Sequence, residues 1–196
     1  MLQSEKSRAT RQRLLDAAFE CLVQYGYFGT TTVAVCHEAG VARGTMLHHF
    51  PNKESLVLAS LEDILERRLQ EFAETLDTLD THDHEALLRA LWQALKGPSF
   101  KAWLELALAS RTQAELAQEF RDVMSRFDIR VHEIVQQKLP SKFGGMILAQ
   151  DAVGLGFSAL NGFALDLLQM DERDADYKVE LLIQLTTHAL KSFQSS

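Results

Sequence analysis

Cysteine and proline are scarce in this chain: two and three respectively among 196 residues. Cys21 and Cys36 form no Cys-x-x-Cys pair, and each falls in an apolar helical pattern, so buried thiols are expected rather than a disulfide framework, a zinc knot or a dithiol redox site. A reducing, cytoplasmic setting fits that reading. No apolar segment follows the basic start MLQSEKSRATRQR, which speaks against a secretory leader. The longest apolar stretch, 147–168, is interrupted by Gln150, Asp151, Asn161 and Asp166. Charge at bilayer depth costs about 2.5 kcal/mol or more per residue, so no membrane span is expected. Alternation of apolar and polar residues between turn signals is missing as well, and no strand is expected. Catalytic signatures are equally absent: there is no Gly-x-Ser-x-Gly, no phosphate loop, and none of the seven histidines follows a glutamate by three residues, as a paired di-iron site would require. The reading is therefore of a non-enzymatic protein with no cofactor and no metal.

What is present is charge of unequal distribution. The net charge is −7, which taken alone disfavours a nucleic-acid partner. Up to Ser60, however, six Lys and Arg oppose five Asp and Glu, whereas beyond it fourteen oppose twenty-two. Any anion-binding surface belongs to the first sixty residues, where Lys6, Arg8, Arg11, Arg13, Arg43 and Lys53 lie.

The apolar period is helical throughout. Leu15, Ala18, Phe19 and Leu22 describe a first helix that stops at Gly26, and the basic residues before it are left as an arm or an exposed tail. Thr31 is a natural N-cap for a helix of about two turns that ends at Gly40. A second short helix runs through Thr45 to Phe50 and is closed by Pro51. Asn52 then caps a long helix carrying Leu61, Leu65, Leu69, Phe72, Leu76 and Leu79, broken at DTHDHE. Further helices pass through Trp92, through Trp103, from about 112 to 139, from 146 to 170 and from 174 to 193, with breaks at Gly97-Pro98 and PSKFGG.

Two helices of two turns joined by a tight turn at Gly40 form the pattern of a helix-turn-helix, too short to be stable without support from the flanking helices. Val35, Val41, Met46, Leu47 and Phe50 supply the inward contacts in this reading, leaving Arg43, Gly44, Thr45, His48 and His49 outside. Arg43 suits bidentate donation to guanine, Gly44 permits close backbone approach, and Thr45 suits a base edge or phosphate. The stretch LLDAAFECLVQYGYFGTTTVAVCHEAGVARGTMLHHFPNKESLV resembles the N-terminal domain of the tetracycline-repressor (TetR) family. The resemblance spans roughly residues 8 to 60 and rests on the Ala-Ala of the first helix, Gly26-Tyr27, the Thr run, Ala39-Gly40-Val41, Gly44-Thr45, and His49-Phe50 with Lys53.

The resemblance implies an all-α fold: a three-helix helix-turn-helix DNA-binding domain over 1–52, then a helical ligand-binding and dimerisation domain over 53–196. It implies a dimeric, ligand-responsive regulator, usually a repressor, on a palindromic double-stranded operator. Arg43, Gly44, Thr45 and His48 fall where such proteins touch base edges; Thr32, His49 and Lys53 fall where they hold phosphates. Family members often carry tyrosine at the site of Leu47, and a leucine there cannot hydrogen-bond to the DNA backbone. That departure leaves an activator or a protein-interaction module as the alternative.

Other clusters read more plainly. Adjacent helical residues such as His48 and His49 point about 100° apart and do not converge on a metal. His82-Asp83-His84 sits in a polar break and reads as linker. GLGFSA, 154–159, spells a dinucleotide fingerprint but lies inside an apolar helix without the strand such a site needs. Gly154, Ser158 and Gly162 stand four apart on one face and admit a close helix neighbour. With Val179, Ile183 and Leu190 of the last helix they form the expected homodimer interface. Trp92, Phe100, Trp103, Phe127 and Asn161 are the candidate lining of a site for a small, largely apolar effector.

Overall fold

A computed structural model describes residues 2–80, 83–139, 142–143 and 147–194, with side chains described over 4–80, at 83, and over 85–139 and 154–188. The helices are α1 (Leu2–Gly29), α2 (Thr32–Ala39), α3 (Arg43–His49), α4 (Lys53–Thr78), α5 (His84–Leu95), α6 (Pro98–Ser110), α7 (Ala114–Lys138), α8 (Ala149–Asp166) and α9 (Glu172–Gln194). The all-α class holds, with one small departure: β1 (Lys142–Phe143) and β2 (Ile147–Leu148) pair antiparallel, Lys142 opposite Leu148 and Phe143 opposite Ile147. Two residues per strand are too few to show alternation, which is why periodicity overlooks them.

α1 begins far earlier than expected. Lys6, Arg8, Arg11 and Arg13 are helical rather than an arm, because nothing between Leu2 and Gly26 interrupts a run of good helix formers. Gly26, at φ 66°, ψ 177°, breaks the helix internally, and the chain resumes for one more turn. The short helices end as their residues dictate. The Thr31 side chain accepts from the amide of Ala34 at 3.1 Å, and Gly40 closes α2 in the left-handed region. Asn52 Oδ1 accepts from the Ser55 amide at 2.7 Å at the start of α4.

The chain divides into two compact units. The first comprises Met1–Arg67 and Pro98–Phe127. In it α1 and the first part of α4 each serve two cores. Leu14, Leu15, Ala18, Cys21 and Leu56 pack with Val35, Cys36, Ala39, Met46 and Phe50 of the helix-turn-helix. Phe19, Leu22, Val57, Leu58 and Leu61 pack instead with Ala102, Leu106 and Ala109 of α6 and Leu116 and Val123 of α7. The alanines let α6 lie close along α1. Buried Ser60 donates its hydroxyl to the Leu15 carbonyl at 2.8 Å, fixing α4 against α1.

The second unit comprises Arg68–Gly97 and Asp128–Ser196. Its interior takes Leu87, Leu91, Trp92 and Leu95 of α5, Leu160 and Ala164 of α8, and Ala175, Val179 and Ile183 of α9. Polar links stitch α5 to α9: Arg89 Nη2 reaches Glu180 at 2.7 Å, Lys96 Nζ reaches Glu172 at 2.7 Å and Asp176 at 3.1 Å, and the Trp92 indole donates to Asp176 at 2.6 Å.

Candidate nucleic-acid interface

On α3 the helical turn of 100° per residue separates two faces. Met46 and the following Phe50 point inward, and Met46 has no exposed surface at all. Arg43, Gly44, Thr45 and His48 are exposed, as expected, but so is Leu47, which is 46% exposed rather than turned inward with Met46 and Phe50. Arg43 makes no ion pair or hydrogen bond among the described residues, so its five donors are free for a partner.

The glycines of this region contrast. Gly40 has φ +61°, a conformation that the α2 to α3 turn requires and a side chain resists. Gly44 has no such φ, and a Cβ built on it would meet nothing within 4 Å. The fold does not require glycine there. The missing side chain instead opens the surface of α3 to close approach from outside.

The expected phosphate ligands differ among themselves. Thr32 is half-buried at the first turn of α2, and its hydroxyl has no protein partner among the described residues. His49 is half-buried, its ring 5.6 Å from that of His48 and 6.4 Å from that of Phe50. Arg11 of α1 stacks over Phe50 at 5.2 Å. Lys53 is already engaged: its ammonium donates to the Tyr27 carbonyl at 2.6 Å and sits 3.9 Å from the centre of the Tyr27 ring. Burial draws its pKa below the ordinary lysine value, against the opposing pull of Glu54.

Tyr27 is a hub that the sequence did not disclose. Its amide donates to Glu105 Oε2 at 2.9 Å, and its hydroxyl lies 3.2 Å from Glu54 Oε1 and 3.0 Å from Gln113 Oε1. The ring is 2% exposed. Burial, with the Glu54 carboxylate beside it, pushes the phenol up to about 12. A Cβ at Gly26 would stand 2.6 Å from Glu105 Oε2, so glycine there admits the carboxylate that receives the Tyr27 amide. The Gly-Tyr pair was the available signal; partners 78 and 86 residues away were not.

Other expected residues are reassigned. Val179 and Ile183 are 2% and 1% exposed and belong to the interior of their own unit, so they offer no face to a second chain. The open stripe of α9 is Tyr177, Leu181 and Leu185, spaced four apart. Gly154, Ser158 and Gly162 do lie exposed on α8, and a Cβ at either glycine would meet nothing within 4 Å. Gly156 instead faces Leu88 and Leu91 of α5, a packing role for part of the GLGFSA stretch. The Leu190 side chain lies outside the described residues, as do His82 and the side chain of His84, while Asp83 caps α5. Of the effector candidates, Phe100, Trp103 and Phe127 fall in the first unit and Trp92 and Asn161 in the second. The Trp92 indole is committed to Asp176, and Asn161 donates to the Phe157 carbonyl at 3.0 Å. Among the described residues no helix is long and apolar enough to cross a membrane, and no group of three His, Cys, Asp or Glu could hold a metal.

Comparison with known proteins matches residues 14–60 to the family of bacterial regulatory proteins, tetR family. The chain is 26% identical over 174 residues to the HTH-type transcriptional regulator CymR of Pseudomonas putida, covering 88% of this chain and 86% of that one. A crystal structure of a TetR-family regulator from Rhodococcus sp. superposes with a TM-score of 0.73 at 18% identity, covering 91% and 98% of the two chains. A regulator from Saccharomonospora viridis in complex with choline gives a TM-score of 0.68 at 18% identity, covering 91% and 95%. The exposed second helix of the helix-turn-helix and these likenesses agree: residues 14–60 match the bacterial regulatory proteins of the tetR family, and most of the chain is similar to HTH-type transcriptional regulators.

Proposed function

We propose that this regulator is a repressor that binds a palindromic operator as a homodimer and is released by a small, largely apolar effector. The observation that carries the DNA reading is the outward face of α3, where Arg43 is unpaired and Gly44 answers to no need of the fold. In this reading Arg43, Gly44, Thr45 and His48 meet base edges. Thr32 and His49 meet phosphates, and Lys53 joins them through the side of its ammonium turned away from the Tyr27 carbonyl and ring. Residues 1–52 read DNA and 53–196 serve the effector and the second protomer, with α6 packed against α1, the helix that supports the helix-turn-helix. Pairing uses the open face of α8, Gly154, Ser158 and Gly162, together with Tyr177, Leu181 and Leu185 of α9. Twofold symmetry would place two α3 helices in successive major grooves, about 34 Å apart. For the effector, Phe100 and Trp103, with ring centres 5.5 Å apart, and Phe127 are the stronger candidates, because the polar atoms of Trp92 and Asn161 are already committed.

The test is binding of the purified protein to the DNA flanking its own gene, across a salt series. Affinity should fall steeply and linearly in log salt, by about 0.9 log units per log unit for each phosphate neutralised. Arg43→Ala should cost about 1–3 kcal/mol on the preferred sequence and relax its preference, whereas Lys53→Ala should weaken all sequences alike. Failure to bind at low salt, or equal effects of the two changes on selectivity, would refute the reading.

A further inference from the structure

We infer that Leu47 reads the 5-methyl group of a thymine, and that the preferred half-site carries that thymine about two base steps from the guanine met by Arg43; this rests on the DNA reading proposed above. Leu47 is 46% exposed on a helix whose other outward residues are Arg43, Gly44, Thr45 and His48. A leucine left open on that face has no apolar partner of its own to complete: Met46 and Phe50 already fill the inward side. Residues 43 and 47 are one turn apart, about 40° around the helix and about 6 Å along it, so their side chains share one edge of α3. A rise of 6 Å corresponds to roughly two base-pair steps of 3.4 Å. In the major groove the thymine methyl is the apolar group among hydrogen-bonding edges, and it is the feature that distinguishes thymine from cytosine by contact rather than by donation. Leu47 has no polar atom beyond its backbone, so of all the groups the groove presents, this is the one its side chain can recognise. Arg43 and Leu47 thus form a paired reader, one by hydrogen bonds and one by apolar contact.

The experiment selects binding sites from randomised duplexes with the full-length protein and with Leu47→Ala. Each selected thymine is then replaced by deoxyuridine, which removes the methyl and nothing else. The expected result is an enriched guanine with a thymine about two steps away, and a deoxyuridine penalty of about fourfold there, in line with burial of one methyl group. That penalty should vanish in Leu47→Ala, whose selected sites no longer favour thymine at the position. Thr45 also carries a methyl group, so a penalty persisting undiminished in Leu47→Ala assigns the contact elsewhere and overturns the inference. An enriched site with no deoxyuridine penalty overturns it too while leaving the DNA reading intact. If no sequence is enriched, both fail. The thermal midpoint of the half-exposed Leu47→Ala variant, measured beside wild type, separates lost recognition from lost folding.

Discussion

The two compact units both carry exposed ion pairs but differ in the polar links that join their distant helices. In the first, charged and amide groups converge on a buried tyrosine, where Lys53, Glu54, Glu105 and Gln113 meet Tyr27 from α4, α6 and the corner before α7. In the second, Arg89 and Lys96 reach across a wet surface to carboxylates of α9 that are largely exposed. A buried polar hub loses heavily when one partner leaves, because the group left behind pays its full desolvation; an exposed ion pair gives up little. The first arrangement holds a small helix-turn-helix in a fixed attitude, and the second tolerates change.

The sharpest break in this comparison lies on α9, between its two apolar stripes. Ile183→Ala should destabilise the protein by about 2–5 kcal/mol through a cavity while sparing self-association, seen as a lowered denaturant midpoint with an unaltered sedimentation profile. Leu185→Ser should do the reverse, shifting the proposed homodimer towards monomer with little loss of protomer stability. If the two substitutions acted alike, the assignment of inner and outer faces would be wrong.

At the hub, Gly26→Ala should cost about 2–3 kcal/mol, since the new methyl meets both an unfavourable φ and the Glu105 carboxylate. Chemical unfolding of that variant against Gly44→Ala, a glycine without positive φ where a Cβ would meet nothing within 4 Å, would check it. Tyr27→Phe should cost about 1 kcal/mol near neutral pH. Because the folded phenol titrates at about 12 against about 10 unfolded, its contribution is intact below pH 10 and is lost as pH rises through 12. Alkaline destabilisation should therefore be weaker in the phenylalanine variant, and parallel curves would contradict the burial of that hydroxyl. The smallest effect is expected at Lys96→Met, about 1 kcal/mol or less in thermal unfolding, and a loss several times larger would show that the second unit is held as tightly as the first.

Much of the reading head was legible in the chain. Thr31, Gly40 and Asn52 act locally, each within four residues of the backbone group it satisfies, so caps and boundaries of α2 and α3 could be read directly. Exposure of Arg43, Gly44, Thr45 and His48 followed from the inward period of Met46 and Phe50. Long-range choices were not legible. α9 carries apolar residues on two sides, and periodicity does not say which side the protomer itself covers. The tie from Lys53 to Tyr27 spans 26 residues and Trp92 to Asp176 spans 84, so each depends on how distant helices pack. The early start of α1 was hidden because polar helix formers and a disordered arm share a composition.

Both thiols of the chain lie in the core that α1 shares with the helix-turn-helix, and burial raises the pKa of each. Alkylating reagents attack the thiolate, so while that core is closed both sulfurs react slowly, Cys21 the more so because it is 3% exposed against 9% for Cys36. The rate at which Cys21 and Cys36 are labelled therefore counts openings of the head alone, a tag-free clock that should slow when cognate duplex is added and leave motions of the second unit unrecorded.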